Sequence, residues 1–362
     1  MKGKIKIVEI GPYPPPGTGW SVRIKKIKDA FIAEGHDCVV LNTGENRKVK
    51  SKEYLDVQNA FDYLLKLFLL KCKGYSFHIH TNAQSEKGPF LYLAAHLISL
   101  LFFERASITF HGGYQQLYFP KEFGSKIYPV IYLNFLFSKV IICNDQNIKK
   151  SIENYGSFIR HSKIYPIQAF STQYLDIGDV VLPDVITEFI KNKSHIVLSY
   201  LALRRGYCLD TLVKGIEKSS DRIAFVIVGP GKLEDEEIES VYQKMLDLEK
   251  KGKLLLVEAL SHDEFITIMK MSDIYLRTHF CDGVSSSVLE ALAAGTVVVA
   301  CDNGQRPQGV VMYKPDDAEE MQEKIKFVLK DLKKYQSKIQ RPEISNTVQD
   351  EVNLLRHTYG QK

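Results

Sequence analysis

The chain has 362 residues, 45% hydrophobic and 25% charged, which is the make-up of a globular protein large enough for two cores. A net charge of +5 is too mild, and too free of zinc-finger spacing or RNA-binding motifs, to point to nucleic acid. It suits an anionic substrate or an acidic lipid surface.

The opening MKGKIKIVEI enters a strand directly and lacks the apolar core of a signal peptide, so a cytoplasmic protein is expected. The six cysteines show no C-x-x-C and fit reduced core positions. After KIKIVEIG comes the turn-rich PYPPPGTGW, then an amphipathic helix from Ser21 to Glu34 closed by Gly35, then the strand CVVLNTG. This is the βαβ opening of a parallel, Rossmann-like sheet. The loop carrying Gly17 and Gly19 lacks the G-x-G-x-x-G dinucleotide fingerprint, so it is either a proline-stiffened surface loop or a ligand loop at a strand's carboxyl end.

FDYLLKLFLLKCK, from Phe61 to Lys73, and the apolar run from Phe90 to Phe103 read first as helices covering the sheet. Their lysine-flanked apolar faces also fit helices lying in a bilayer interface, although the second run is too short to span one. YSFHIHTN and ASITFHGG are strands with polar tips. His78, His80 and His111 lack a clean third partner, and no metal is expected. His111, followed by Gly112 and Gly113, is either a strand-end structural residue or an imidazole facing a ligand hydroxyl.

The weakly periodic stretch from Tyr165 to Lys193 marks the passage between domains, placed at residues 1–180 and 181–344. The second domain repeats the rhythm through HIVLSYLALRRGY, IAFVIVGPGK, an acidic helix from Asp235 to Lys250, LLLVEAL and DIYLRT. Arg204 and Arg205 sit in its first loop, where guanidinium groups can clamp a diphosphate. Gly229 and Gly231 form a turn after the next strand.

The sequence is organised around THFCDGVSSSVLEALAAGTVVVACDNG, residues 278–304. Ser287 and Glu290 fit a capping box, Gly295 a left-handed helix stop, and TVVVAC a strand covered on both faces. The loop Asp282, Gly283, Ser285, Ser286 and Ser287 leads into a helix N-terminus, a ready anion site. Along a continuous helix Asp282 and Glu290 would stand roughly 12 Å apart, beyond the roughly 5–9.5 Å of a glycosidase pair. They suit two ends of one long ligand.

That segment resembles the E-x7-E signature of the retaining glycosyltransferases of family 4, with Asp282 in place of the first Glu. The resemblance implies a GT-B fold, an α/β architecture of two Rossmann-like domains facing a central cleft. It also implies that the final helix, within residues 345–362, returns to the N-terminal domain through Val352, Leu354, Leu355 and Tyr359. In this likeness Asp282 holds sugar hydroxyls, Glu290 the ribose, and His111 faces the sugar. Gly17, Gly19, Gly229 and Gly231 lie near the donor. Arg205-Gly206 takes the place of a Lys-Gly pair, while Tyr200 stands where an upstream Arg is usual and Arg204 is the candidate replacement. The implied reaction moves a sugar from a UDP- or GDP-sugar to a glycan or lipid-linked acceptor, in polysaccharide or lipopolysaccharide biosynthesis. No D-x-D occurs, so the donor is expected to be used without metal or further cofactor. Peripheral attachment to the inner face of the membrane is compatible with this reading. A non-catalytic nucleotide-sugar-binding module and an epimerase or hydrolase of the same fold are the alternatives.

Overall fold

A computed structural model describes the chain except residues 1–3, Pro16, Thr18, Tyr114, Gln115, Leu117, Gly124, Ser125, Thr172, Gln173, Asp179, Arg204, Arg205, Lys232, Glu234, Asp235, Gly283, Val284, Ile344 and residues 361–362. It falls into two compact units, Met1–Gln173 with Ser345–Lys362, and Tyr174–Ile344. Residues 174–180, assigned to the first domain from sequence, group with the second.

The first unit holds β1 (Lys6–Gly11), α1 (Gly19–Ala33), β2 (Asp37–Asn42), α2 (Ala60–Cys72), β3 (Ser76–Thr81), α3 (Gly88–Leu101), β4 (Ser107–Phe110), α4 (Tyr128–Phe137), β5 (Ile141–Cys143), α5 (Gln146–Glu153) and β6 (Ile164–Pro166). Its strands pair in parallel in the order β2-β1-β3-β4-β5-β6. The strand order reverses beside β1 and β3, where open α/β sheets place their ligands. Gly11 ends β1 because a Cβ there would meet Ile24 Cδ1 at 2.5 Å and His80 Cβ at 2.9 Å.

The second unit holds α6 (Asp184–Ile190), β7 (His195–Tyr200), α7 (Leu209–Glu217), β8 (Ile223–Val228), α8 (Glu239–Lys250), β9 (Leu254–Val257), α9 (His262–Met271), β10 (Ile274–Arg277), α10 (Ser286–Ala294), β11 (Val297–Cys301), β12 (Val311–Tyr313), α11 (Ala318–Lys330) and α12 (Leu332–Gln336). The parallel order is β12-β11-β10-β7-β8-β9, so the reversal lies beside β7 and β10. Strands such as β8 and β11 are buried along their whole length, as apolar runs of a doubly covered sheet must be. The single helix expected from Asp317 to Tyr335 is interrupted at Asp331, which caps both α11 and α12.

The last helix, α13 (Thr347–Tyr359), belongs to the first unit and packs on α1. Val348, Val352, Leu355 and Tyr359 form its buried stripe, and Leu354 stands at its side. A buried ion pair joins the two helices: Arg23 Nε donates to Glu351 Oε2 at 2.8 Å, and its Nη2 donates to the Thr347 carbonyl at 2.9 Å.

Two helices of the first unit carry an inverted pattern. α3 turns Tyr92, Ala95, His96 and Ser99 inward while Phe90, Leu97 and Leu101 are exposed. α2 buries Tyr63, Leu67 and Leu70, yet leaves Phe61, Leu64, Leu65, Phe68 and Leu69 exposed. The helices pack on each other, and Phe103 just beyond α3 is fully exposed. The covering role expected from sequence therefore comes with an outward apolar face. No helix among the described residues is long and apolar enough to cross a membrane.

Candidate functional site

In the second unit, the carboxyl ends of β7 and β10 bring Tyr200 and Arg277 side by side, with Arg277 Nη1 donating to the Tyr200 carbonyl at 3.1 Å. A guanidinium on the neighbouring strand thus lies against the backbone of Tyr200. Arg277 is fixed from the other side by Asp282, whose Oδ2 accepts from Nε at 2.9 Å and lies 2.8 Å from Nη2. Asp282 Oδ1 takes Asn303 Nδ2 at 3.0 Å and lies 2.9 Å from Arg306 Nη1. His279 completes the ring around it at 3.5 Å. Burial pushes the Asp282 carboxyl up, but Arg277, His279 and Arg306 outweigh it and hold the group well below the usual carboxylate range. Both oxygens expected from sequence to receive sugar hydroxyls are committed to protein partners. Asp282 acts in this structure as the anchor of two buried guanidinium groups.

Tyr207 stacks on His279 with ring centroids 4.2 Å apart, and Arg277 lies over the Tyr207 ring at 5.4 Å. Gly206 precedes Tyr207 at φ +93°, a conformation that L side chains rarely adopt. Arg204 and Arg205, immediately before it, lie outside the described residues, as does Gly283.

Ser285 is the N-cap of α10, and its side chain bonds Ser287 Oγ at 2.9 Å rather than the helix backbone. Ser287 Oγ in turn accepts from Tyr275 Oη at 2.7 Å. The expected capping box between Ser287 and Glu290 does not form, because Ser287 lies inside the first turn and Glu290 points to α9, 3.1 Å from His262 Nε2. A capping box does form at Ser261 and Glu264, where α9 begins. The backbone N–H groups of Ser286 and Ser287 find no acceptor among the described residues, so this first turn keeps the anion-binding character of a helix N-terminus. Gly295 ends α10 at φ +86°. Gly229 at φ +80° turns the chain after β8, and a Cβ there would stand 2.6 Å from the Tyr200 ring. Gly231 follows at φ +61°.

In the first unit, His111 follows β4, with its backbone N–H on the Thr81 carbonyl at 2.7 Å. Trp20, in the first turn of α1, meets the His111 ring edge-on with centroids 5.6 Å apart. Gly19 opens that helix and Gly17 lies two residues before it, so the glycine loop and His111 share the carboxyl edge of the sheet. Gly112 makes room for the Phe110 ring, which a Cβ would meet at 2.3 Å.

Behind His111 lies Glu9, a carboxylate inside an apolar strand. Its Oε2 stands 2.7 Å from His78 Nδ1 and 2.6 Å from His80 Nε2. Glu9 supplies the third group that the sequence did not offer for His78 and His80, and the three are close enough to hold an ion. Both contacts have the length of hydrogen bonds, and all three residues are fully buried.

Residues 186–342 match the family model for glycosyl transferases group 1. The matched span covers α10, Glu290 and the Asp282 ring, and stops short of the first unit. The whole chain is similar in structure to HepE of Anabaena solved with UDP and glucose (14% identity, 97% of this chain and 99% of that one, TM-score 0.71). It is also similar to trehalose-6-phosphate synthase OtsA (14% identity, 99% of each chain, TM-score 0.67). A putative UDP-N-acetylglucosamine 2-epimerase from Listeria monocytogenes compares closely too (13% identity, 99% and 98% covered, TM-score 0.68). These likenesses establish the GT-B fold. No curated protein sequence matches the chain.

Proposed function

We propose that the protein is a retaining glycosyltransferase that moves a sugar from a nucleotide-sugar, most simply a UDP-sugar, to a hydroxyl of a glycan or lipid-linked acceptor. The observation that carries this reading is the turn into α10: two N–H groups, at Ser286 and Ser287, without an acceptor among the described residues, with the buried carboxylate of Glu290 one turn further on, within the span matched by the glycosyl transferase model. HepE, of the same fold, was solved in complex with UDP and glucose.

In this reading the helix N-terminus, Arg204 and Arg205 receive the diphosphate as it leaves the anomeric carbon, stabilising charge where it develops. The acceptor hydroxyl then attacks on the same face through an oxocarbenium-like state. Glu290 binds the ribose, Gly229 and Gly231 border the nucleotide, and His111 accepts a hydrogen bond from a sugar hydroxyl. No metal or further cofactor is assigned a step. Asp282 takes an indirect part: it keeps Arg277 and Arg306 in place under the loop and leaves the direct sugar contact to other groups. The exposed apolar face of α2 and α3 would rest on the cytoplasmic side of a membrane, bringing a lipid-linked acceptor of surface polysaccharide or lipopolysaccharide biosynthesis to the enzyme.

The test is thermal stabilisation by UDP-, GDP-, ADP- and CMP-sugars of wild type and Glu290→Ala, each against its own ligand-free baseline. A donor at a hundred times its dissociation constant adds about 2.7 kcal/mol. One nucleotide class should stabilise wild type and lose its effect in the variant; no response to any class overturns the donor site. Asp282, with both oxygens occupied, favours as a second reading a module that binds the nucleotide-sugar without turning it over. Binding without product in the presence of acceptors would select that reading, and turnover without acceptor would select an epimerase or hydrolase.

A further inference from the structure

Unit 1 buries a continuous chain of polar side chains running from His111 across β3, β1 and β4 to α13. His111 Nε2 meets His80 Nδ1 at 2.9 Å, and His80 Nε2 meets Glu9 Oε2 at 2.6 Å. The same Glu9 oxygen meets His78 Nδ1 at 2.7 Å, and His78 Nε2 meets Thr109 Oγ1 at 2.8 Å. Thr109 Oγ1 donates to Glu351 Oε1 at 2.5 Å, and Glu351 pairs with Arg23.

With Glu9 and Glu351 both ionised, Glu9 held so by the neighbouring His78 against a burial that raises it, proton counting fixes the direction of the links from Glu351 to Glu9. The Thr109 hydroxyl has one hydrogen, and a carboxylate only accepts, so that hydrogen goes to Glu351. His78 Nε2 must then donate to Thr109, and His78 Nδ1 must donate to Glu9. His78 is therefore an imidazolium between two carboxylates. Glu9, His78, Glu351 and Arg23 form an alternating row of charges that sums to zero, the condition under which such groups tolerate full burial. His78 is pushed above its ordinary value because the attraction of Glu9 and Glu351 outweighs burial. His80 is driven well below its own by burial and by His78 and His111. A neutral His80 that gives its Nε2 hydrogen to Glu9 has only a lone pair on Nδ1, so His111 Nε2 must carry the hydrogen between the two rings. His111 Nδ1 has no partner among the described residues.

We propose that Glu9 and His80 are positioning residues that hold His111 as the Nε2–H tautomer, so that its Nδ1 lone pair accepts a hydrogen bond from a hydroxyl of the transferred sugar. The sugar contact rests on the glycosyl-transfer reading; the tautomer does not. A metal ion at Glu9, His78 and His80 would have to displace ring protons of both histidines and so undo this arrangement.

The test is nitrogen-15 NMR of the histidine rings in the full chain near about pH 7, assigned with His78→Gln, His80→Gln and His111→Gln. His78 should show two protonated nitrogens, and His80 and His111 should be neutral with the hydrogen on Nε2. In Glu9→Gln, His78 should lose its charge and His111 should become a mixture of tautomers. A neutral His78 in wild type, a His111 protonated on Nδ1, or zinc uptake that moves the His78 and His80 signals would overturn the assignment. The wild-type spectrum decides this even if Glu9→Gln does not fold. With a donor and acceptor in hand, Glu9→Gln should lower kcat about tenfold, the scale of one hydrogen bond, with the KM for donor little changed. Expected spectra without any sugar transfer would leave the tautomer standing and remove its sugar.

Discussion

Asp282→Asn separates two roles for the residue at the centre of the family-like segment. The carboxylate lies between the Arg277 and Arg306 side chains, which are 7% and 0% exposed, while its own side chain is 12% exposed. Asparagine keeps the size but removes the charge, leaving two buried guanidinium groups with no carboxylate between them. Removing one partner of a buried pair costs about 3–5 kcal/mol, and in a unit of this size each kcal/mol moves Tm by about 2–4 °C. The expected fall is therefore about 6–20 °C, read by calorimetry or by near-UV circular dichroism on heating. Because the folded group titrates below its unfolded value, its stabilisation is complete above about pH 4 and is lost only as pH falls further. The loss in Asp282→Asn should thus be the same at about pH 6 and about pH 8. If Asp282→Asn melts within about 2 °C of wild type, a shift worth about 1 kcal/mol or less, yet no longer binds donor, Asp282 is a ligand residue and the anchoring account is wrong.

His96 is fully buried on α3 with neither ring nitrogen bonded among the described residues, and burial drives it down to about 3. His96→Leu should raise stability by about 1–3 kcal/mol at neutral pH, the cost of an unsatisfied buried polar group, as measured by urea unfolding. Since the unfolded histidine takes up a proton below about pH 6.5 and the folded one does not, wild type loses about 1.4 kcal/mol per pH unit through this residue on acidification. The variant should show that much shallower an acid limb; equal slopes would refute the burial argument. Phe61→Glu with Leu65→Glu should leave Tm within about 2 °C and weaken co-sedimentation with anionic lipid vesicles at least tenfold, since each half-inserted apolar side chain contributes about 1 kcal/mol. Unchanged sedimentation would remove the membrane from the proposal. Gly229→Ala should cost about 1–2 kcal/mol or more from its left-handed backbone alone, with a further penalty from the Tyr200 ring; a neutral result in urea unfolding would show that the turn relaxes freely.

Much of this architecture is legible because a doubly wound sheet writes itself locally. Apolar runs such as those of β8 and β11, and glycines such as Gly35 and Gly295 at φ +81° and +86°, mark elements without reference to anything distant. The site is less legible, because its partners are set by register between strands. Tyr200 and Arg277 become neighbours only through the pairing of Leu276 with Ser199, so the guanidinium against β7 comes from β10 and cannot be read from the sequence around Tyr200. The capping box fails on a one-turn detail: Ser287 and Glu290 have the right spacing, but α10 begins at Ser286, so Ser287 lies inside the helix, and Glu290 turns to His262 on α9. One signal was available in the sequence. A glutamate inside KIKIVEIG sits in a strand that a doubly covered sheet must bury, and a buried carboxylate requires partners. Following that requirement from Glu9 leads to His78 and His80, and through Thr109 to Glu351 and Arg23. The same chain that ties α13 to the sheet therefore ends at His111, so the charge row that stabilises the first unit also fixes which nitrogen of His111 carries its proton.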